Sequence, residues 1–113
     1  MHRVLPSVYS TEQPSYEDRC RAVVLWKPDA VLSHTSAAWL WKLLPTEPPT
    51  VEATVPSGSG VRGPEWLQLH RRPAGVVTSW RGMPIVTVER SLFDVAPTMP
   101  TAQLERVFDA AID

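Results

Sequence analysis

The chain has 113 residues, enough for one domain with a single modest core and too few for a second of ordinary size. Its 11 Lys and Arg against 12 Asp and Glu give a net charge of −1, so no global positive field draws it onto nucleic acid or acidic membrane. The single cysteine, Cys20, excludes an intrachain disulfide framework and any multi-cysteine zinc site.

In chain order, Arg3 to Tyr9 surrounds Pro6 with Val4, Val8 and Tyr9, which suits an edge strand or extended lead-in. Ser15 followed by Glu17 and Asp18 marks a helix start, and the pattern predicts a helix from about Tyr16 to Trp26, stopped by Lys27-Pro28. A second helix is expected over Ala37 to Leu44, ended by Pro45, with Ser33 or His34 where a cap is needed. Val51 to Val55 alternates at period two and reads as a half-buried strand, followed by a Ser/Gly loop from Pro56 to Gly60.

Trp66 to Arg71 alternates again. Val76 to Trp80, the Arg81-Gly82 turn and Met83 to Val86 predict a hairpin whose return strand is short, because Pro84 cannot donate to the ladder. Thr87 is placed to cap a third helix over Val88 to Ala96, and Thr101 a fourth over Ala102 to Ile112. In the fourth, Leu104, Val107, Phe108, Ala111 and Ile112 form an apolar stripe that needs a partner surface. The expected fold is therefore α+β: a small, mostly antiparallel sheet of short strands packed with about four short helices.

Candidate chemistry is sparse. A nucleophilic triad would draw on Ser33 or Ser36 with His34 and Asp94, but no G-x-S-x-G elbow exists and hydroxyls before an apolar run more often cap or pack. His2, His34 and His70 stand apart in sequence without H-x-x-x-H or C-x-x-C spacing, so no metal, cofactor or catalytic residue is expected. Charge is polarised, however. Five Arg meet two acids between Arg62 and Arg90, whereas one Arg meets four acids between Ser91 and Asp113. Arg62, His70, Arg71, Arg72 and Arg81 are therefore candidate contacts to DNA phosphates, with Trp80 as a flanking aromatic.

Ala30 to Ala38, reading Ala-Val-Leu-Ser-His-Thr-Ser-Ala-Ala, resembles the Ser-His-x-Ser-Ala-Ala segment of AbiEi-like proteins, antitoxin-type transcriptional regulators of bacterial type IV toxin-antitoxin systems. The likeness extends in order through Val51 to Pro56, Leu67 to Arg71, Gly82 to Val86, the Arg-Ser-Leu-x-Asp segment within Thr87 to Ala96, and Leu104 to Ile112. It implies a non-enzymatic, cytoplasmic regulator domain whose motif residues are Ser33, His34, Ser36, Thr87, Arg90 and Asp94. The implied partners are promoter DNA, bound weakly by this domain alone, and a nucleotidyltransferase toxin.

The family's winged helix and the nuclease-like domain of some actinobacterial relatives have no counterpart here. Residues 1–113 thus read as one middle domain of a longer regulator. Ser7 and Lys42 replace family glycines. Arg90 and Asp94, at i and i+4, are placed to pair or to reach the Ser-His turn, and His34 to cap the second helix or bridge it to the sheet. Two other readings stand beside this one: a protein-interaction module docking through Trp39, Trp41 or Thr46 to Thr50, and a non-catalytic remnant of a nuclease-type (Vsr-like) chain. The longest apolar runs fall far short of the roughly 20 residues that cross a bilayer, so no membrane partner is expected.

Overall fold

The computed structural model describes residues 2–5 and 8–10 as backbone, and residues 14–56 and 62–112 with their side chains. The Ser7 substitution, and all of the Ser/Gly loop except Pro56, lie outside the described residues. The chain opens with an antiparallel ribbon of two strands, β1 (His2–Leu5) and β2 (Val8–Ser10), where one extended segment was expected.

Helix α1 (Tyr16–Trp26) starts where Ser15 accepts from the Asp18 amide at 3.1 Å while Asp18 accepts from the Ser15 amide at 3.0 Å. This reciprocal pair satisfies two donors at once and fixes the first turn. The helix stops at Lys27, before Pro28, as its sequence predicts.

Strand β3 (Val31–Leu32) leads into α2 (His34–Leu40). This helix begins and ends earlier than expected. It closes in a Schellman turn, with Leu43 N–H on the Ala38 carbonyl and Lys42 N–H on that of Trp39, both at 2.9 Å. Lys42 holds the left-handed position, φ 63°, that favours glycine.

Strands β4 (Val51–Val55), β5 (Leu67–Arg71), β6 (Val77–Trp80) and β7 (Met83–Val86) join β3 in a five-stranded sheet of order β5-β4-β3-β7-β6. The α+β class is as expected, but the sheet is mixed rather than mostly antiparallel. β4 runs parallel to β5 and β3 parallel to β7, while β3–β4 and β6–β7 are antiparallel. The connection from β4 to β5, residues 56–66, is long enough to return the chain to the same end of the sheet. β4 is also more buried than its alternation suggests, because it lies inside the sheet and Val51, Ala53, Thr54 and Val55 are all buried. At the β6–β7 hairpin, Arg81 and Gly82 both take positive φ (47° and 81°), the two-residue turn that matches strand twist.

Thr87 caps α3 (Val88–Val95) by accepting from the Arg90 amide, and a 3₁₀ turn (Ala96–Thr98) leads to α4 (Thr101–Ile112). Thr101 is the first helical residue rather than the cap, because Leu104 N–H already bonds the Pro100 carbonyl at 3.0 Å. The main core packs Tyr16, Cys20 and Val23 of α1 and Ala37 and Leu40 of α2 against Leu32, Val51, Ala53, Val55, Met83 and Ile85. A second cluster joins Ala38 and Leu43 to Leu92, Val95 and Val107. The adjacent alanines 37 and 38 thus face different cores, and their small size lets α2 lie between the sheet and α3. Trp41 is anchored inward by its indole N–H on the Val86 carbonyl at 3.0 Å. Among the described residues, no helix is long and apolar enough to cross a membrane.

Candidate functional site

Side chains alternate across a strand, so Glu52 and Thr54 of β4 share one face. Parallel pairing of Thr54 with His70 puts the histidine on that same face, and the period carries it to Arg72. Against these four residues lies the start of α2. Ser33 occupies the N-cap position, but its side chain makes no cap bond. Instead its oxygen, fully buried, accepts from Thr54 Oγ1 at 2.8 Å and meets His34 Nδ1 at 2.8 Å. Ser36 Oγ accepts from the Glu52 amide at 2.6 Å and bonds the Tyr16 hydroxyl at 2.6 Å. The hydroxyls of Ser33 and Ser36 therefore tie the first turn of α2 to β4 and α1. The sequence reading of Ser33 as a side-chain cap is corrected accordingly.

Thr35 Oγ1 donates to Glu52 Oε1 at 2.6 Å, and His70 Nε2–H donates to Glu52 Oε2 at 2.7 Å. The imidazoles of His34 and His70 stack, with centroids 3.6 Å apart and planes 11° from parallel. Arg72 Nη2 lies 3.5 Å from His34 Nε2 and donates to Asp94 Oδ1 at 2.7 Å. Arg90 Nε lies 3.2 Å from the same Asp94 oxygen as an ion pair, without the alignment of a hydrogen bond. The Asp94 side chain is 1% exposed. Burial pushes the His34 imidazole below its ordinary pKa, and the neighbouring His70 and Arg72 add to this against the pull of Asp94 and Glu52. Burial also pushes the Glu52 carboxyl up, but the hydrogen bonds from His70 and Thr35 outweigh it and hold the group below the usual carboxylate range.

Of the residues singled out in the sequence, Ser33, His34, Ser36, His70, Arg72, Arg90 and Asp94 come together here. Thr87 caps α3, and the side chains of Arg62 and Arg71 are exposed. Arg81, at the β6–β7 turn, belongs to the opposite edge of the sheet, four strand spacings or roughly 19 Å from β5. There it bonds Glu17 Oε1 at 3.0 Å and covers the Trp80 ring at 4.6 Å. Strand order thus separates Arg81 from His70, Arg71 and Arg72 among the candidate phosphate contacts.

The triad arrangement is likewise not formed, since Asp94 is held by two arginines and Ser33 is sealed from solvent. Sequence reasoning missed Glu52 and Thr54. The available signal was a lone carboxylate inside the otherwise uncharged run of β4. A cleft of about 470 Å³ lies elsewhere, lined by Glu17, Trp39, Leu40, Lys42, Trp80 and Arg81 among others. No protein-family model matches this chain, and no curated protein matches it.

Proposed function

We propose that the chain is a regulator domain of the AbiEi-like antitoxin kind, a non-catalytic, cytoplasmic binding module that contributes to promoter binding and toxin restraint in a longer protein. One observation carries the reading. The two segments with the most specific likeness, Ser33 to Ala38 and Arg90 to Asp94, meet through Arg72, which touches both His34 and Asp94. Motif residues that organise a fold in this way support a shared architecture, although the function itself rests on the resemblance.

Arg72 and Arg90 are engaged by the buried carboxylate of Asp94. In this reading the exposed side chains of Arg62 and Arg71 carry the phosphate contact. The test is retardation of the DNA upstream of the chain's own coding region. Salt-sensitive binding that weakens in Arg62→Glu/Arg71→Glu is expected; identical behaviour of variant and parent would overturn the DNA part. Toxin restraint is read separately, as relief of growth arrest by a nucleotidyltransferase encoded beside the chain.

A protein-interaction reading is supported on a different surface from the Trp39, Trp41 and Thr46 to Thr50 expected from the sequence: Phe93 (71%), Phe108 (44%) and Ile112 (81%) leave much of their apolar surface to water on α3 and α4. Restraint of the toxin is expected to fail in Phe93→Ser/Phe108→Ser while DNA retardation persists.

A further inference from the structure

We propose that His34, Glu52 and His70 form a binding site for a divalent transition-metal ion of the zinc class. One ligand-type atom from each of the three residues lies within 4.8 Å of the others. Two imidazoles and a carboxylate are a donor set that suits such ions, and a fourth position is left for water or a partner's side chain.

The surroundings prepare each donor. Ser33 Oγ is positioned to take the Nδ1–H of His34, so the neutral ring keeps its lone pair on Nε2, which Arg72 Nη2 approaches at 3.5 Å and has to yield to an ion. Thr35 holds Glu52 Oε1, which leaves Oε2 directed at His70. Such outer contacts are what orient histidine and carboxylate ligands. Arg72 and Arg90 share the single carboxylate of Asp94, at 2.7 and 3.2 Å, while Glu52 makes its own hydrogen bonds to Thr35 and His70.

Access exists, with the His70 and Glu52 side chains 25% and 13% exposed. Tetrahedral bonds of about 2.05 Å place ligand atoms roughly 3.4 Å apart. Binding therefore opens the His70–Glu52 hydrogen bond, splays the stacked rings and draws the widest pair together by at most about 1.4 Å. Sequence spacing hid the site because its members come from a helix start and two neighbouring parallel strands. Cys20 takes no part, being fully buried on the core side of α1.

The test uses the full chain, stripped with a chelator and titrated with ZnCl₂ by calorimetry, then with Co²⁺ as a visible-absorption reporter. One ion per chain at micromolar affinity is expected, with a Co²⁺ spectrum of nitrogen and oxygen ligation and no thiolate band. His34→Gln, His70→Gln and Glu52→Gln are each expected to abolish it, Ser33→Ala to weaken it about tenfold, and His2→Gln to leave it unchanged. Should a variant fail to fold, the side-chain nitrogen resonances of His34 and His70 in the parent chain decide the matter, and both must shift on zinc addition. Absence of stoichiometric binding, unshifted resonances, or binding that survives both histidine substitutions would overturn the proposal.

Discussion

His34 and His70 stack face to face at 3.6 Å, one from the start of a helix and the other from an edge strand, with Glu52 bonded to the second ring. A chain of polar contacts runs from Thr54 and Ser33, through the His34 ring and Arg72, to the carboxylate of Asp94. The Thr54–Ser33, His34–His70 and Arg72–Asp94 contacts join different pairs of elements, so the network fixes how α2 and α3 sit on β4 and β5.

Asp94→Asn leaves Arg72 and Arg90 without their carboxylate. The pairs lie between the exposed and fully buried limits, since both arginine side chains are 36% exposed while Asp94 is 1% exposed. The expected loss is about 2 kcal/mol, read from urea unfolding, and Arg72→Met in the same background is expected to recover part of it.

Lys42→Gly is expected to stabilise by about 0.5–1 kcal/mol in thermal unfolding, because the left-handed C-terminal position of α2 strains any residue with a Cβ. Gly82→Ala, at φ 81°, is expected to move the midpoint in the opposite direction by a similar amount.

Much of the secondary structure was legible because it depends on neighbours along the chain. α1 and β4 follow from a capping box and a period-two run, and the Arg81-Gly82 hairpin from turn chemistry. Strand order was not legible. Whether β5 lies beside β4 or beside β6 depends on the 56–66 connection, and that order alone separates His70 and Arg72 from Arg81. The same limit concealed Glu52, whose importance comes from a parallel neighbour rather than from its own segment.

Alkaline pH is expected to weaken the fold. Burial pushes the Cys20 thiol up to about 12 and raises the Tyr16 hydroxyl above its ordinary 10, so both stay neutral in the folded chain. The unfolded chain gives up these protons earlier and therefore binds fewer. Stability then falls as pH rises from about 9 toward 12, by up to about 1.4 kcal/mol per pH unit for each titrating group. Urea midpoints measured across this range check it, and Cys20→Ala is expected to remove the earlier part of the slope.

On α4 the apolar stripe divides. Val107 is buried with Leu43, Leu92 and Val95, so Val107→Ala is expected to cost about 2 kcal/mol. Phe108→Ser and Ile112→Ser, at residues 44% and 81% exposed, are expected to shift stability by less than about 0.5 kcal/mol. Parallel urea titrations separate the two classes.

The most direct test of the joined network is the long-range proton–nitrogen correlation spectrum of the histidine side chains in the metal-free chain. The network requires His34 to carry its proton on Nδ1, held by Ser33, with Nε2 bare toward Arg72 and His70. A neutral His34 protonated at Nδ1 is the predicted result. Protonation at Nε2 would contradict it, because that ring would turn a hydrogen toward Arg72 and leave no lone pair at the center of the cluster.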